Sequence, residues 1–188
     1  MIIPLMISWR GFELFFKTGI PSVVFNTSFI IMVVAIAMGL LLNCVKNKTK
    51  YTLWVLIIEI IEYLFIVACS TIICRGRPAF EFERLEITPF WTYKAVLEHT
   101  PGVSVWDIVL NVVLFVPLGF LLKLLYPNLK LWKMVLIAIG CSMFIETNQY
   151  FFEKGIAQID DVMHNVIGAM TGWGIAKLVQ GAWLKFRG

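Results

Sequence analysis

The sequence predicts an all-α fold: a polytopic transmembrane helical bundle of about five spanning helices, with a short interfacial helix at the N-terminus. Three observations predict it. Of the 188 residues, 60% are hydrophobic and only 15% are charged, where a soluble domain carries about a quarter charged. The apolar residues fall in long runs, and no charged residue separates Lys17 from Lys46. A run of about 20 apolar residues crosses the hydrocarbon core of a bilayer. In lipid the backbone must satisfy its hydrogen bonds within the segment, so such a run is a helix.

The elements follow in order within a single membrane domain, 1–188. Residues 1–22 mix apolar groups with Arg10, Glu13 and Lys17, and place Trp9, Phe12, Phe15 and Phe16 at roughly helical spacing. That pattern suits a helix lying in the interface. The first span is expected at about 23–45, followed by the basic loop Lys46, Lys48 and Lys50. The second is expected at about 52–74, with Glu59 and Glu62 inside it. A polar connection, 75–105, carries Arg75, Arg77, Arg84 and Lys94. The third span, about 106–126, is interrupted by Pro117. The fourth is expected at about 133–152, a tight connection at 153–160, and the fifth span at about 161–183. No cleavable signal peptide is expected, because the start lacks a basic region leading into an apolar core and a cleavage site.

The net charge of +4 sits between the apolar runs, where it reads as a topology signal and not as a nucleic-acid footprint. Lys46, Lys48, Lys50, Lys123, Lys130, Lys133, Lys185 and Arg187 lie on one side, in short loops and a short tail. They place that side in the cytoplasm and the connections 75–105 and 153–160 outside. The four cysteines form no CxxC pair and read as small apolar residues.

Polar residues gather at one level of three spans. The third opens with Asp107 and Asn111, four apart; the fourth closes with Glu146 and Gln149, three apart. The fifth begins with Asp160, Asp161, His164 and Asn165, in which Asp160–His164 and Asp161–Asn165 each share a helix face. Lys154 lies in the turn between. Glu146 falls about 9 Å inside the end of its helix. An exposed carboxylate costs about 2.5–3.5 kcal/mol at the most central positions and less toward the ends, so Glu146 is expected to face protein or trapped water. Asp160 and Asp161 also suit helix capping, and Asn111, Gln149 and Asn165 suit interhelical hydrogen bonding. Gly168 and Gly172 continue the Asp161–Asn165 stripe as a GxxxG pattern, which lets a neighbouring backbone approach. A second acidic pair, Glu59 and Glu62, lies one turn apart in the second span, with Asn26 and Asn43 as candidate partners. Intramembrane acids are functional candidates by default.

Two functional readings follow from these residues. One is an intramembrane enzyme acting on a lipid-linked phosphate, with Glu146 as acid or base, His164 assisting, and Asp160, Asp161 and Glu146 available to a divalent cation. The other is a proton-coupled transporter or flippase using Glu59 and Glu62.

The stretch Asn111-Val-Val-Leu-Phe115-Val-Pro117-Leu-Gly119 resembles a motif of the VanZ-like family. The series Glu146, Gln149, Lys154, Asp160, Asp161, Asn165 and Gly168 is similar to that family's second motif, and Arg84-Leu-Glu-Ile-Thr-Pro89-Phe90 to its loop segment. The resemblance spans about 84–175. It departs at Lys154, where the family often has Arg, and at Glu86, where it often has Asn. The resemblance implies a membrane protein of the bacterial cell envelope associated with resistance to teicoplanin and related lipoglycopeptides. It adds a third reading: an outward-facing polar pocket that binds membrane lipid, a lipid-linked cell-wall precursor or the glycopeptide antibiotic.

Overall fold

Apolar runs become helices throughout the residues that the computed structural model describes, 50–73 and 85–187. Helix α1, Lys50–Ala68, ends in a π-helical turn, Cys69–Ile73. A short strand β1, Leu85–Glu86, leads into helix α2, Trp91–Leu97. Then come the long helices α3, Val105–Leu125, and α4, Leu131–Phe151, a second short strand β2, Ala157–Gln158, and helix α5, Ile159–Arg187. The expected interfacial segment at 1–22 and first span at about 23–45 lie outside the described residues. The expected connection 75–105 holds folded structure in its described part, because β1 pairs in parallel with β2 (Leu85 opposite Ala157, Glu86 opposite Gln158).

Helices α3 and α4 each have 21 residues, with mean hydropathy 2.5 and 1.2, and are long and apolar enough to cross a membrane. At 1.5 Å per residue each is about 31 Å long, close to the thickness of a hydrocarbon core. Pro117 lies inside α3 without ending it, so the interruption expected there is absent. Proline removes one backbone donor, and neighbouring helices compensate for that in a membrane bundle.

The helix ends are locally encoded. Asp107 closes the start of α3 by accepting the Ser104 amide at 2.6 Å, a capping arrangement. Helix α4 ends in a Schellman motif, with the Lys154 amide donating to the Gln149 carbonyl at 2.9 Å and Glu153 in the left-handed region at φ 54°. Helix α2 ends the same way, with Thr100 donating to Ala95 at 2.9 Å around His99, also at φ 54°.

Glycine brings α3 and α5 into backbone contact. A Cβ at Gly168 would overlap the Val112 carbonyl, one at Gly172 the Val116 carbonyl, and one at Gly119 the Ala169 carbonyl. Residue numbers rise together along both helices, so α3 and α5 run parallel. Around this seam Phe115, Leu118, Leu121 and Leu124 of α3 pack with Met134 and Ala138 of α4, Ala169 and Ala176 of α5, and Leu56, Tyr63 and Val67 of α1. The Tyr63 hydroxyl donates to the Leu114 carbonyl at 2.7 Å. At the far end of the seam the Trp173 indole donates to the Leu129 carbonyl, and the Lys123 and Lys177 ammonium groups lie 5.0 and 5.3 Å from its ring centroid.

The distribution of polarity is that of a membrane bundle. Glu59, Ser142, Glu146, Gln149, Asp160, His164 and Asn165 are buried, whereas Ile58, Ile61, Phe65, Leu136, Met143 and Phe144 face outward. Water would oppose so many exposed apolar side chains; hydrocarbon accepts them.

Gly172→Leu should separate α3 from α5 and destabilise the chain by about 1–3 kcal/mol or more, the range for overpacking. Gly140 lies on an open face of α4 with no atom near its missing Cβ, so Gly140→Ala should leave stability unchanged or raise it by about 1 kcal/mol. Thermal unfolding of the two variants in detergent, followed by size-exclusion chromatography, compares them directly.

Candidate functional site: a polar knot beside an apolar groove

A short helix begins with backbone N–H groups that have no partner inside it. Phe90, the N-cap of α2, supplies no side-chain acceptor and stands in the left-handed region at φ 66°. The acceptor comes from across the fold. Asp160, at the start of α5, takes the Phe90 amide on Oδ1 at 2.7 Å and the Thr92 amide on Oδ2 at 2.8 Å. Asp160 is 1% exposed. Its capping role is therefore exercised on α2 and not on its own helix, and it holds the strained Phe90 backbone in place.

A string of further bonds runs from there. The Thr92 hydroxyl donates to Gln158 Oε1 at 2.9 Å. The Gln158 amide donates to Glu146 Oε2 at 3.0 Å. Thus α2, β2, α4 and α5 are tied through Asp160, Thr92, Gln158 and Glu146. Glu86 closes the turn after β1 by accepting the Thr88 amide at 2.8 Å.

The other expected residues make separate pairs at this end of the bundle. His164 Nε2 meets the Tyr93 hydroxyl at 2.9 Å, and its Nδ1 lies 3.9 Å from Asp161 Oδ1. Asn165 Nδ2 donates to Ser142 Oγ at 2.8 Å. Gln149 Nε2 donates to the Thr71 carbonyl at 3.3 Å, reaching the π-helical turn that ends α1. Lys154 sits half-buried in the turn after α4, and Asn111 half-buried on α3. Among the described residues these two side chains take no part in the bonds above. The polar groups expected to line one shared recess are thus distributed among specific bonds that knit four helices together. Gln149 Oε1, Asn165 Oδ1 and His164 Nδ1 are buried polar atoms with no hydrogen-bond partner among the described residues.

The second acidic pair is elsewhere. Glu59 faces the core at 6% exposure, and neither carboxylate oxygen has a donor among the described residues. Glu62 is half-buried one turn along. Twelve residues separate Glu59 from Thr71, about 18 Å along a helix, so this pair does not join the knot. Its candidate partners Asn26 and Asn43 lie outside the described residues.

Asp160, Asp161 and Glu146 do not assemble as a cation site. Among the described residues no group of three His, Cys, Asp or Glu side chains is placed to hold a metal ion. Both oxygens of Asp160 already accept backbone N–H groups.

Beside the knot lies a groove of about 430 Å³. Ile139, Met143 and Tyr150 of α4 form one wall, Leu85 and Ile87 a second, and Ile159 and Val162 of α5 a third. Glu146 and Gln158, joined to the knot, are its polar lining groups together with Thr147.

Sequence reasoning missed Gln158, Thr92, Tyr93, Ser142 and Thr71. Ser142 carried a signal: with Glu146 and Gln149 it makes an i, i+4, i+7 polar stripe on α4. Thr92 and Tyr93 carried none, since their partners are more than sixty residues away in the chain.

Asp160→Ala should strand two amides, each at about 1–3 kcal/mol if it stays buried, and release α2. Hydrogen exchange over 91–97 should rise by more than tenfold while exchange in the α3–α5 seam stays slow. Unchanged exchange in α2 would contradict the capping role.

The VanZ/LLP1 family model matches residues 60–180, more than half of the chain, from within α1 through most of α5. No curated protein and no solved structure matches the chain. The matched stretch holds the knot, the groove and both helices suited to crossing a membrane. The chain is thus a membrane protein and belongs to the VanZ/LLP1 family.

Proposed function

We propose that this chain is a multi-pass protein of the bacterial cytoplasmic membrane that takes a membrane lipid or lipid-linked cell-wall precursor into the groove beside Glu146, and thereby lowers susceptibility to teicoplanin and related lipoglycopeptides. The observation that carries the reading is the groove itself: an apolar channel along a helix long enough to span a bilayer. A concave, mostly apolar site with a few convergent polar groups is the usual form of a ligand pocket. Family membership supports the link to antibiotic resistance.

In this reading the polar knot positions the groove and does not itself bind the ligand. Asp160 holds α2 and the β1 approach, and Gln158 and Glu146 hold the β2 wall. Five spans, with the knot at the extracytoplasmic surface, accord with the lysine-rich short loops on the other side. That side would present the lipid to the compartment in which glycopeptides act.

Expression in a teicoplanin-susceptible bacterium should raise the inhibitory concentration at least severalfold, and Ile87→Trp, which narrows the groove from an exposed position, should return it to the control level. An unchanged inhibitory concentration with the wild-type chain correctly inserted would overturn the proposal. For orientation, a cysteine-free background with Lys154→Cys should be labelled on intact cells by a membrane-impermeant maleimide. Asn128→Cys should react only after the membrane is opened. The reverse pattern would place the knot in the cytoplasm.

A further inference from the structure

The surface of α2 divides into three unlike flanks. Thr92 and Ala95 are buried against the rest of the chain. Tyr93 and Leu97, four apart and so on one flank, are exposed, Leu97 at 80%. Lys94 and Glu98, also four apart, occupy the next flank, about 100° round the helix. Their charged ends lie 3.9 Å from each other, and both side chains are largely exposed. A core flank, an outward apolar flank and a charged flank in that order suit a helix lying at the boundary between hydrocarbon and water.

The turn before α2 extends the apolar flank. Phe90 is 60% exposed, and its ring centroid lies 6.1 Å from that of Tyr93. Phe90 stands at φ 66°, a backbone region that is costly for a bulky side chain. In water both the strain and the outward ring would oppose this conformation. Beside hydrocarbon the ring is stabilised where it stands.

Height places the flank at a membrane boundary. Asp160 ties the start of α2 to the start of α5, and the glycine seam sets the start of α5 level with that of α3. Helix α3 is long and apolar enough to cross a membrane, so its first turn, and α2 with it, lies near the headgroups. Val105 and Trp106 of that turn are exposed, and tryptophan favours this depth. The outward apolar face continues from Trp106 along α3 through Val109 and Val113.

We propose that α2 and the turn before it form an interfacial anchor: Phe90, Tyr93 and Leu97 insert between headgroups and acyl chains of the leaflet on the side of the knot, while Lys94 and Glu98 stay at the water. The occupant of this surface is the bilayer itself. Lys94 and Glu98 offset each other's charge, so the anchor requires no anionic lipid. It is independent of what the groove binds and needs only that the chain crosses a membrane.

The test uses the full chain, on a cysteine-free background, in phosphatidylcholine nanodiscs. Leu97→Cys and Lys94→Cys each carry a nitroxide. Leu136→Cys, on the outward face of α4, serves as the lipid reference, and Asn128→Cys, exposed in the turn after α3, as the water reference. Collision with oxygen, which concentrates in hydrocarbon, is compared with collision with a neutral nickel chelate, which stays in water. The oxygen-to-nickel ratio at Leu97→Cys should be several times that at Lys94→Cys and lie toward the Leu136→Cys value, with Lys94→Cys toward Asn128→Cys. Equal ratios at the two α2 positions would overturn the anchor. So would a label at Leu97→Cys that neither reagent reaches, which is the sign of a second copy or another segment of the chain covering the flank. A water-like ratio at Leu136→Cys would overturn the membrane crossing on which the anchor rests.

Discussion

The direct contact between the backbones of α3 and α5 is the constraint on which the rest depends. Glycine at 119, 168 and 172 lets each helix bring a carbonyl to where a methyl group would otherwise stand. In a membrane, lipid tails are as apolar as leucine, so close van der Waals packing between small residues replaces the hydrophobic effect as the associating force. The contact also fixes register. With Val112 against Gly168 and Val116 against Gly172, the start of α5 comes level with the start of α3. Asp160, His164 and Asn165 are then delivered to the same end as Ser142, Glu146 and Gln149 of α4, which runs between them.

Once the polar groups are gathered, low dielectric makes their bonds matter more than they would in water. Asp160 shows the consequence. A two-bond grip on Phe90 and Thr92 is enough to dock a seven-residue helix that has little chance of forming alone. The docked helix brings Thr92 to Gln158 and Tyr93 to His164. The knot is consequently a piece of architecture: removing one member loosens elements far apart in the chain.

The groove is a by-product of that architecture. The β1–β2 pair holds Leu85 and Ile87 away from α4, and the Glu146–Gln158 bond fixes the separation at one end. The space left between them is bounded by apolar side chains, with Glu146 partway along its α4 wall, between Met143 and Tyr150. A membrane protein that binds lipid needs such a space to persist when empty, and a wall fastened by hydrogen bonds at both strands provides it.

By itself the sequence determined the helical membrane class, because apolar runs in lipid have helix as their only local solution. It also determined the bounds of α3 and α4 to within about two residues and the glycine seam, since periodicity and small-residue spacing are local signals. The motif residues Glu146, Gln149, Asp160, Asp161, His164 and Asn165 were visible as a cluster in level and face. Which partners they would take was not. Asp160 caps a helix some seventy residues earlier, α2 and the strands are too short to leave a periodic signature, and Pro117 lies inside α3 without ending it. The groove, too, was decided only by tertiary structure: it is made of space between three segments distant in sequence, and no residue pattern along one segment encodes the gap between it and the next.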